Sequence, residues 1–173
     1  MVSAHRLCSR RFSLRAEILE GRARVASKNR GFRNAKWGIS MELIEKITSH
    51  DVPLAYIIRG ELMPGRTTFL TPPEFKQQVG FVVYPAGGEI HRHVHRPLER
   101  HLNGTSEVLI VRRGRCEIDI YNNGRELVAT HELREGDIML MVDGGHGFRM
   151  LEDTVFLEVK QGPYTGLEEK EQF

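Results

Sequence analysis

The sequence predicts an all-β protein with a single folded domain. Short apolar runs recur from Val52 to Phe173, Gly, Pro and Asn residues separate them, and helical periodicity is nearly absent. Evenly spaced strands joined by tight turns are typical of a β-sandwich or β-barrel. A chain of 173 residues is long enough to bury one core without disulfides or a structural metal.

Individual strands follow from the alternation of apolar and polar residues and from β-branched and aromatic side chains. The clearest turn signal is Asn122-Asn123-Gly124, which predicts a type I′ hairpin because Asn-Gly readily adopts positive φ angles. The predicted strands are Ala55–Arg59, Arg66–Leu70, Gly80–Tyr84, Ile90–His95, Glu107–Arg112, Cys116–Tyr121, Glu126–Leu133, Asp137–Val142 and Thr154–Lys160.

Charge divides the chain at Met41. Residues 1–40 carry a net charge of +8 and residues 41–173 a net charge of −6. The first part is therefore predicted to be a basic N-terminal extension, and residues 41–173 the β domain. The extension has three readings: an organellar transit peptide, a disordered arm that touches nucleic acid or anionic lipid, or an artefact of a true translation start at Met41. We favour the start at Met41, and the basic extension is not evidence for a nucleic-acid partner.

Neither a membrane partner nor an oxidising compartment is expected. No run of about 18 apolar residues is present to span a bilayer, and the basic extension lacks the apolar centre of a secretory signal. Cys8 and Cys116 are the only cysteines, so a disulfide framework has no support and a cytoplasmic location is the default. Cys116 lies in an apolar alternation and is predicted to be a small buried residue rather than a nucleophile.

A cluster of histidines carries the strongest chemical signal. His91, His93 and His95 alternate on one predicted strand, so their side chains share a face. Two imidazoles in this arrangement can converge on one metal ion, and a carboxylate from a neighbouring strand and a third imidazole would leave coordination positions open. Glu107 shares its face with Leu109 and Val111, which predicts that it points inward together with the histidines.

Two segments resemble the motifs of the cupin superfamily. Gly87-x5-His93-x-His95 with Glu107-x6-Gly114 is similar to the first cupin motif, and Gly136-Asp-Ile-Met-Leu-Met-Val-Asp-Gly144-Gly-His146 is similar to the second. The resemblance implies a single cupin barrel, a double-stranded β-helix or jelly roll, preceded by the short N-terminal extension. It also implies a divalent metal ion, Fe, Mn, Zn, Ni or Co, held by His93, His95, Glu107 and His146.

The sequence departs from the cupin pattern in ways that leave one ligand open. Glu107 follows His95 by twelve positions, whereas Glu99 has the usual short spacing. We favour Glu107, because an apolar strand and the turn residue Gly114 follow it. Val142 replaces the usual proline of the second motif, and His146 comes one position early.

Other residues are candidate contacts to a substrate or to the metal ligands. If Glu107 is the carboxylate ligand, residues 96–106 form an inserted loop near the metal. The charged and polar side chains of this loop would either bind an anionic substrate or lie in solvent; they are Arg96, Glu99, Arg100 and His101. His91 is a candidate for supporting a ligand. Within β-like residues 154–160, Val155, Leu157 and Val159 share a face expected to point inward, with Glu158 and Lys160 pointing away.

Function is less determined than fold, because one barrel supports several activities. Residues 157–170 are similar to the ends of small cupins from polysaccharide and O-antigen biosynthesis loci, which favours an isomerase or epimerase acting on a sugar or small polar metabolite. Alternatives are an Fe(II)-dependent dioxygenase, a non-catalytic ligand-binding protein, and a metal-free barrel in which a histidine is the base. The resemblance further implies a homodimer.

Overall fold

A computed structural model describes residues 43–164 and 166–173 and confirms the all-β class. The proposed extension over residues 1–40 and the start at Met41 lie outside the described residues. The secondary structure consists of β1 (Ile44–Ser49), β2 (Val52–Ile58), β3 (Thr68–Phe69), β4 (Gly80–Phe81), β5 (Glu107–Arg113), β6 (Arg115–Tyr121), β7 (Leu127–Arg134), β8 (Ile138–Met141), β9 (Gly145–Met150), β10 (Val155–Lys160) and a short 3-10 helix, Gly166–Glu169. Across these described ranges, no helix is long and apolar enough to cross a membrane.

Two antiparallel sheets pack face to face. The larger sheet has the strand order β1-β2-β8-β5-β10 and the smaller one the order β7-β6-β9, while β3 and β4 form a separate ribbon. Alternate side chains of both sheets meet in one core, which includes Ile57, Leu109, Ile118, Leu133 and Met139. In the described part of the chain the sheets do not close on each other. The arrangement therefore fits a β-sandwich, one of the two architectures that the strand spacing predicted, whereas the cupin resemblance implied a barrel.

Turn chemistry explains two hairpins. β1 and β2 are joined by His50 and Asp51, both with positive φ (47° and 67°), in the manner of a type I′ turn. β6 and β7 pair antiparallel, as predicted, but Gly124 does not carry the left-handed conformation of their connection. Asn122 Oδ1 accepts hydrogen bonds from the amides of Gly124 and Glu126, and Arg125 adopts φ 65° instead. The predicted hairpin is correct and its predicted turn type is wrong.

Only one part of the first cupin-like motif has the structure that the sequence predicted. Gly114 occupies the tight β5–β6 turn with φ 84°, and a Cβ added there would overlap the carbonyl of Asp153. In contrast, the predicted strand Ile90–His95 is absent, and His91, His93 and His95 lie in an exposed stretch between β4 and β5. Histidine alternation alone does not make a strand, because a strand also needs a partner to satisfy its backbone hydrogen bonds.

The orientation of β10 is the reverse of the predicted one. Its pairing with β5 sets Lys160 opposite Glu107 and Phe156 opposite Val111, so these side chains point into the sandwich. Val155, Leu157 and Val159 point outward and are exposed. Alternation identifies which residues share a face, but only the partner strand decides which face is inside.

Candidate functional site

Glu107 and His146 meet between the two sheets. Glu107 begins β5 of the larger sheet, and His146 is the second residue of β9 in the smaller sheet. The carboxylate Oε2 lies 3.3 Å from imidazole Nε2, with the Glu107 side chain 10% exposed and that of His146 26% exposed. Strand parity places Glu107 on the same inward face as Leu109 and Val111, as the sequence predicted.

Lys160 joins this pair from β10. Its Nζ lies 4.0 Å from Glu107 Oε1, 3.6 Å from Glu158 and 3.9 Å from Glu169, and 5.0 Å from the centroid of the Tyr164 ring. The contact was not predicted from the sequence, because the alternation of residues 154–160 was interpreted with Lys160 pointing away from the interior. The signal that finds it is the register of β10, in which Lys160 pairs directly with Glu107.

The environment favours an uncharged imidazole at His146. Burial is the main effect and lowers the pKa of His146, because desolvation disfavours imidazolium. The negative charges of Glu107 and Glu158 raise the pKa, and the positive charge of Lys170 lowers it. Burial outweighs the two carboxylates, so the pKa of His146 is lowered overall. At neutral pH His146 is therefore a neutral base whose conjugate acid Glu107 can stabilise.

An open cavity of 810 Å³ lies against the pair. Its walls come from the start of β5, from β9 and from the last described residues of the chain. They combine carboxylates, aromatic rings and glycines, and the lining residues are Gly104, Thr105, Glu107, Tyr121, Met141, Asp143, Gly144, Gly145, His146, Gly147, Phe148, Glu169, Lys170, Glu171, Gln172 and Phe173. Such a mixture of flat apolar surface and convergent polar groups suits a small polar ligand.

No protein-family model, curated protein or solved structure matches this chain. Function must therefore come from the chemistry of these side chains.

His93 and His95 lie apart from the pair. Both are exposed, their ring centroids are 5.2 Å apart, and His93 Nδ1 lies 2.9 Å from the carbonyl oxygen of His91. Within residues 43–164 and 166–173, no three His, Cys, Asp or Glu side chains are placed to hold a metal ion. The donor set expected from the cupin resemblance does not surround one point in this arrangement.

The charged residues of the loop over residues 96–106 do not line the cavity, although the sequence made them candidates for substrate binding. Arg96, Glu99, Arg100 and His101 are exposed, and His101 Nε2 lies 3.4 Å from Glu99 Oε1 at the surface. None of the four lines the cavity beside Glu107; Gly104 and Thr105 do so instead. Of the two candidate carboxylates, the structure brings Glu107 rather than Glu99 to His146.

Cys116 is part of the core rather than of a site. Its thiol is free and buried beneath the smaller sheet. Burial, followed by the charges of Asp137 and Glu132, raises the pKa of the thiol, which disfavours the nucleophilic thiolate.

Proposed function

We propose that this protein is a small cupin-type enzyme that moves a proton on a sugar or another small polar metabolite, with isomerase or epimerase chemistry. The observation that carries the proposal is the Glu107–His146 pair, in which a largely buried carboxylate faces a neutral imidazole at the wall of a cavity. Groups with these properties act as a general base and its supporting charge.

The proposed chemistry uses the pair as follows. His146 removes the proton from a carbon next to a carbonyl group, so that the C–H bond breaks, an N–H bond forms and the electron pair moves to the carbonyl oxygen. Glu107 stabilises the imidazolium formed, and Lys170, which lines the cavity, supplies positive charge for the developing enolate oxygen. Return of the proton to the opposite face of the same carbon completes an epimerisation. Return to the neighbouring carbon, with the hydroxyl proton of the first carbon passing to the former carbonyl oxygen, completes an isomerisation.

The charge of the lining favours a neutral hydroxylated substrate over an anionic one. Asp143, Glu169 and Glu171 add carboxylates to that of Glu107, against the ammonium group of Lys170, while the predicted cationic groups Arg96 and Arg100 do not line the cavity. Carboxylates accept hydrogen bonds from hydroxyl groups. The rings of Tyr121 and Phe148 offer apolar faces against which a sugar ring can pack.

Solvent isotope exchange tests this proposal. Sugars and small polar carbonyl compounds that raise the melting temperature are incubated with the protein in D₂O, and deuterium at carbon is measured by NMR. We expect His146→Gln to slow incorporation by roughly 100-fold or more, the usual contribution of a general base. His131→Gln is the matched control, because His131 has a similar carboxylate contact, to Glu45 at 3.2 Å, but lies outside the cavity lining. Equal incorporation by parent and His146→Gln would refute the proposed base, and binding without exchange would favour the non-catalytic alternative.

A metal-binding cupin is the second candidate, from which the Fe(II) dioxygenase alternative also follows. The observation that favours metal binding is that the four candidate ligands lie in two pairs. His93 is next to His95, and Glu107 is next to His146. In addition, among the strands of residues 43–164, β9 pairs only with β6, so the strand that carries His146 has an edge on which another strand could form. We propose that residues 90–95 add to this edge when a metal ion is present.

Metal stoichiometry tests the second candidate. The protein is stripped with a chelator, titrated separately with Fe(II), Mn(II), Zn(II), Ni(II) and Co(II), and analysed for bound metal. We expect His93→Ala/His95→Ala to lose stoichiometric binding, because the two imidazoles supply half of the proposed ligands. His131→Ala should bind as the parent does. Full occupancy in the double variant would exclude this site.

A further inference from the structure

The last described segment of the chain runs along the Glu107–His146 cavity. After β10 ends at Lys160, the 3-10 helix Gly166–Glu169 leads into residues 170–173. Each residue from Glu169 to Phe173 contributes to the wall of the cavity. We call residues 166–173 the strap.

The strap is attached to the larger sheet through Lys160. Lys160 Nζ lies 3.9 Å from Glu169 and 4.0 Å from Glu107 Oε1. One ammonium group therefore contacts both the strap and the buried carboxylate of the site.

At its other end the strap is attached to the smaller sheet. Phe173 packs edge-on against Tyr121, with ring centroids 5.2 Å apart at 89°. Arg125 contacts two residues of the strap. Its Nη2 donates a hydrogen bond to Glu171 Oε1 at 2.6 Å, and its Cζ lies 5.4 Å from the centroid of the Phe173 ring. We call the contacts of Arg125, Glu171 and Phe173 the latch.

The smaller sheet has a place shaped for the Phe173 ring. A Cβ added to Gly145 would lie 3.2 Å from two of its ring carbons, so the absence of a side chain at Gly145 lets the ring approach. Gly145 precedes His146 on β9, and both residues line the cavity together with Phe173.

The latch is built from contacts that open easily. Phe173 is 62% exposed, and the side chains of Arg125 and Glu171 are 51% and 79% exposed. Exposed ion pairs are weak because water screens them, and an exposed ring gains little from burial. Such contacts hold a segment in place without locking it.

We propose that the strap is a movable wall of the open Glu107–His146 cavity, held in place by the latch and displaced when a small molecule enters. This inference concerns the site of the proposed function, but it depends only on access to His146 and not on any reaction there.

Chemical labelling of histidines measures that access. Diethylpyrocarbonate is added to the full-length protein at a pH where imidazoles are uncharged, and the labelling rate of each histidine is read from peptide masses. We expect Phe173→Ala and Arg125→Ala each to raise the rate at His146 by about threefold to tenfold, as the loss of one aromatic or ion-pair contact shifts closure toward opening. Gly145→Ala should act in the same direction but more weakly, because its methyl group requires the Phe173 ring to shift by only a few tenths of an ångström.

Two controls separate opening of the strap from general loosening. His131 has a side-chain exposure of 23%, close to the 26% of His146, and also contacts a carboxylate, so its rate should not change. Arg134→Ala removes an exposed ion pair with Glu61 of the same kind as Arg125–Glu171, but away from the cavity lining, and should leave His146 as in the parent. Unchanged labelling of His146 in both latch variants would overturn the proposal. Equal increases at His131, or in Arg134→Ala, would overturn it as well.

Discussion

Two carboxylate–histidine contacts of the described structure look alike and differ in their surroundings. Glu45 Oε2 lies 3.2 Å from His131, and Glu107 Oε2 lies 3.3 Å from His146. Glu45 also binds Arg59, which in turn binds the buried Asp137, so its charge belongs to an ion-pair network that ties strands together. Glu107 instead faces a cavity. The residue types alone do not distinguish a structural pair from a candidate site, and the cavity does.

Protonation of His146 links the site to the stability of the protein. Burial lowers the pKa of His146 in the folded state, whereas unfolding exposes the ring and restores its ordinary pKa. Between those two values the unfolded chain binds more protons, so the free energy of unfolding falls as pH falls through this window. The slope contributed by one such proton is at most about 1.4 kcal/mol per pH unit.

Urea unfolding of the chelator-treated protein at a series of pH values checks this prediction. We expect His146→Gln to flatten the profile in this window, because glutamine does not titrate. His131→Gln should retain the parent's slope if that slope belongs to His146. An unchanged slope in His146→Gln would show that its folded-state pKa is not lowered.

At the scale of single elements, turns and strands were predictable to different degrees. Asn122-Asn123-Gly124 correctly predicted where β6 turns into β7, because Asn favours turns in several geometries. The detailed conformation depended on the side chain of Asn122, which caps the turn and moves the left-handed residue to Arg125. Strand β9 was missed because Gly145 and Gly147 flank His146, and glycine is rare in strands.

Strand β10 shows what pattern alone leaves open. Its sequence alternates Val155, Leu157 and Val159 with Phe156, Glu158 and Lys160, so either face is a reasonable interior. The pairing with β5 resolves the choice, because Glu107 and Val111 already point inward. For the same reason the sequence predicted two members of the site, Glu107 and His146, but not Lys160 or the strap. Those depend on contacts between residues far apart in the chain.

For the whole molecule, the all-β class followed from strand spacing, whereas closure did not. Whether two sheets close depends on pairing between their edges, and His93 and His95 lie in a segment that was predicted to be a strand but forms none. β9 and β10 each have a single strand neighbour among the described residues. The described sandwich therefore has unpaired edges where further strands, from this chain or from another copy, would find hydrogen-bond partners.

The expected homodimer has a suitable surface at one of these edges. Val155, Leu157 and Val159 on the outer face of β10 are 51%, 49% and 50% exposed, and on β5 they neighbour the half-buried Ile110 and the buried Val108. A row of half-exposed apolar residues on an edge strand is a feature that monomeric proteins usually avoid. We expect two copies to meet there, because pairing would bury the row.

Sedimentation velocity over a concentration series checks this last prediction. Leu157→Lys would place a charged group in the buried contact, so we expect the dimer dissociation constant to rise more than about tenfold, a free energy of about 1.4 kcal/mol. Leu127→Lys is the matched control, because Leu127 is 57% exposed but lies on β7 of the other sheet. It should leave the dimer intact. A monomeric parent protein, or a Leu157→Lys dimer as tight as the parent's, would contradict the prediction, and equal weakening by both variants would place the contact elsewhere.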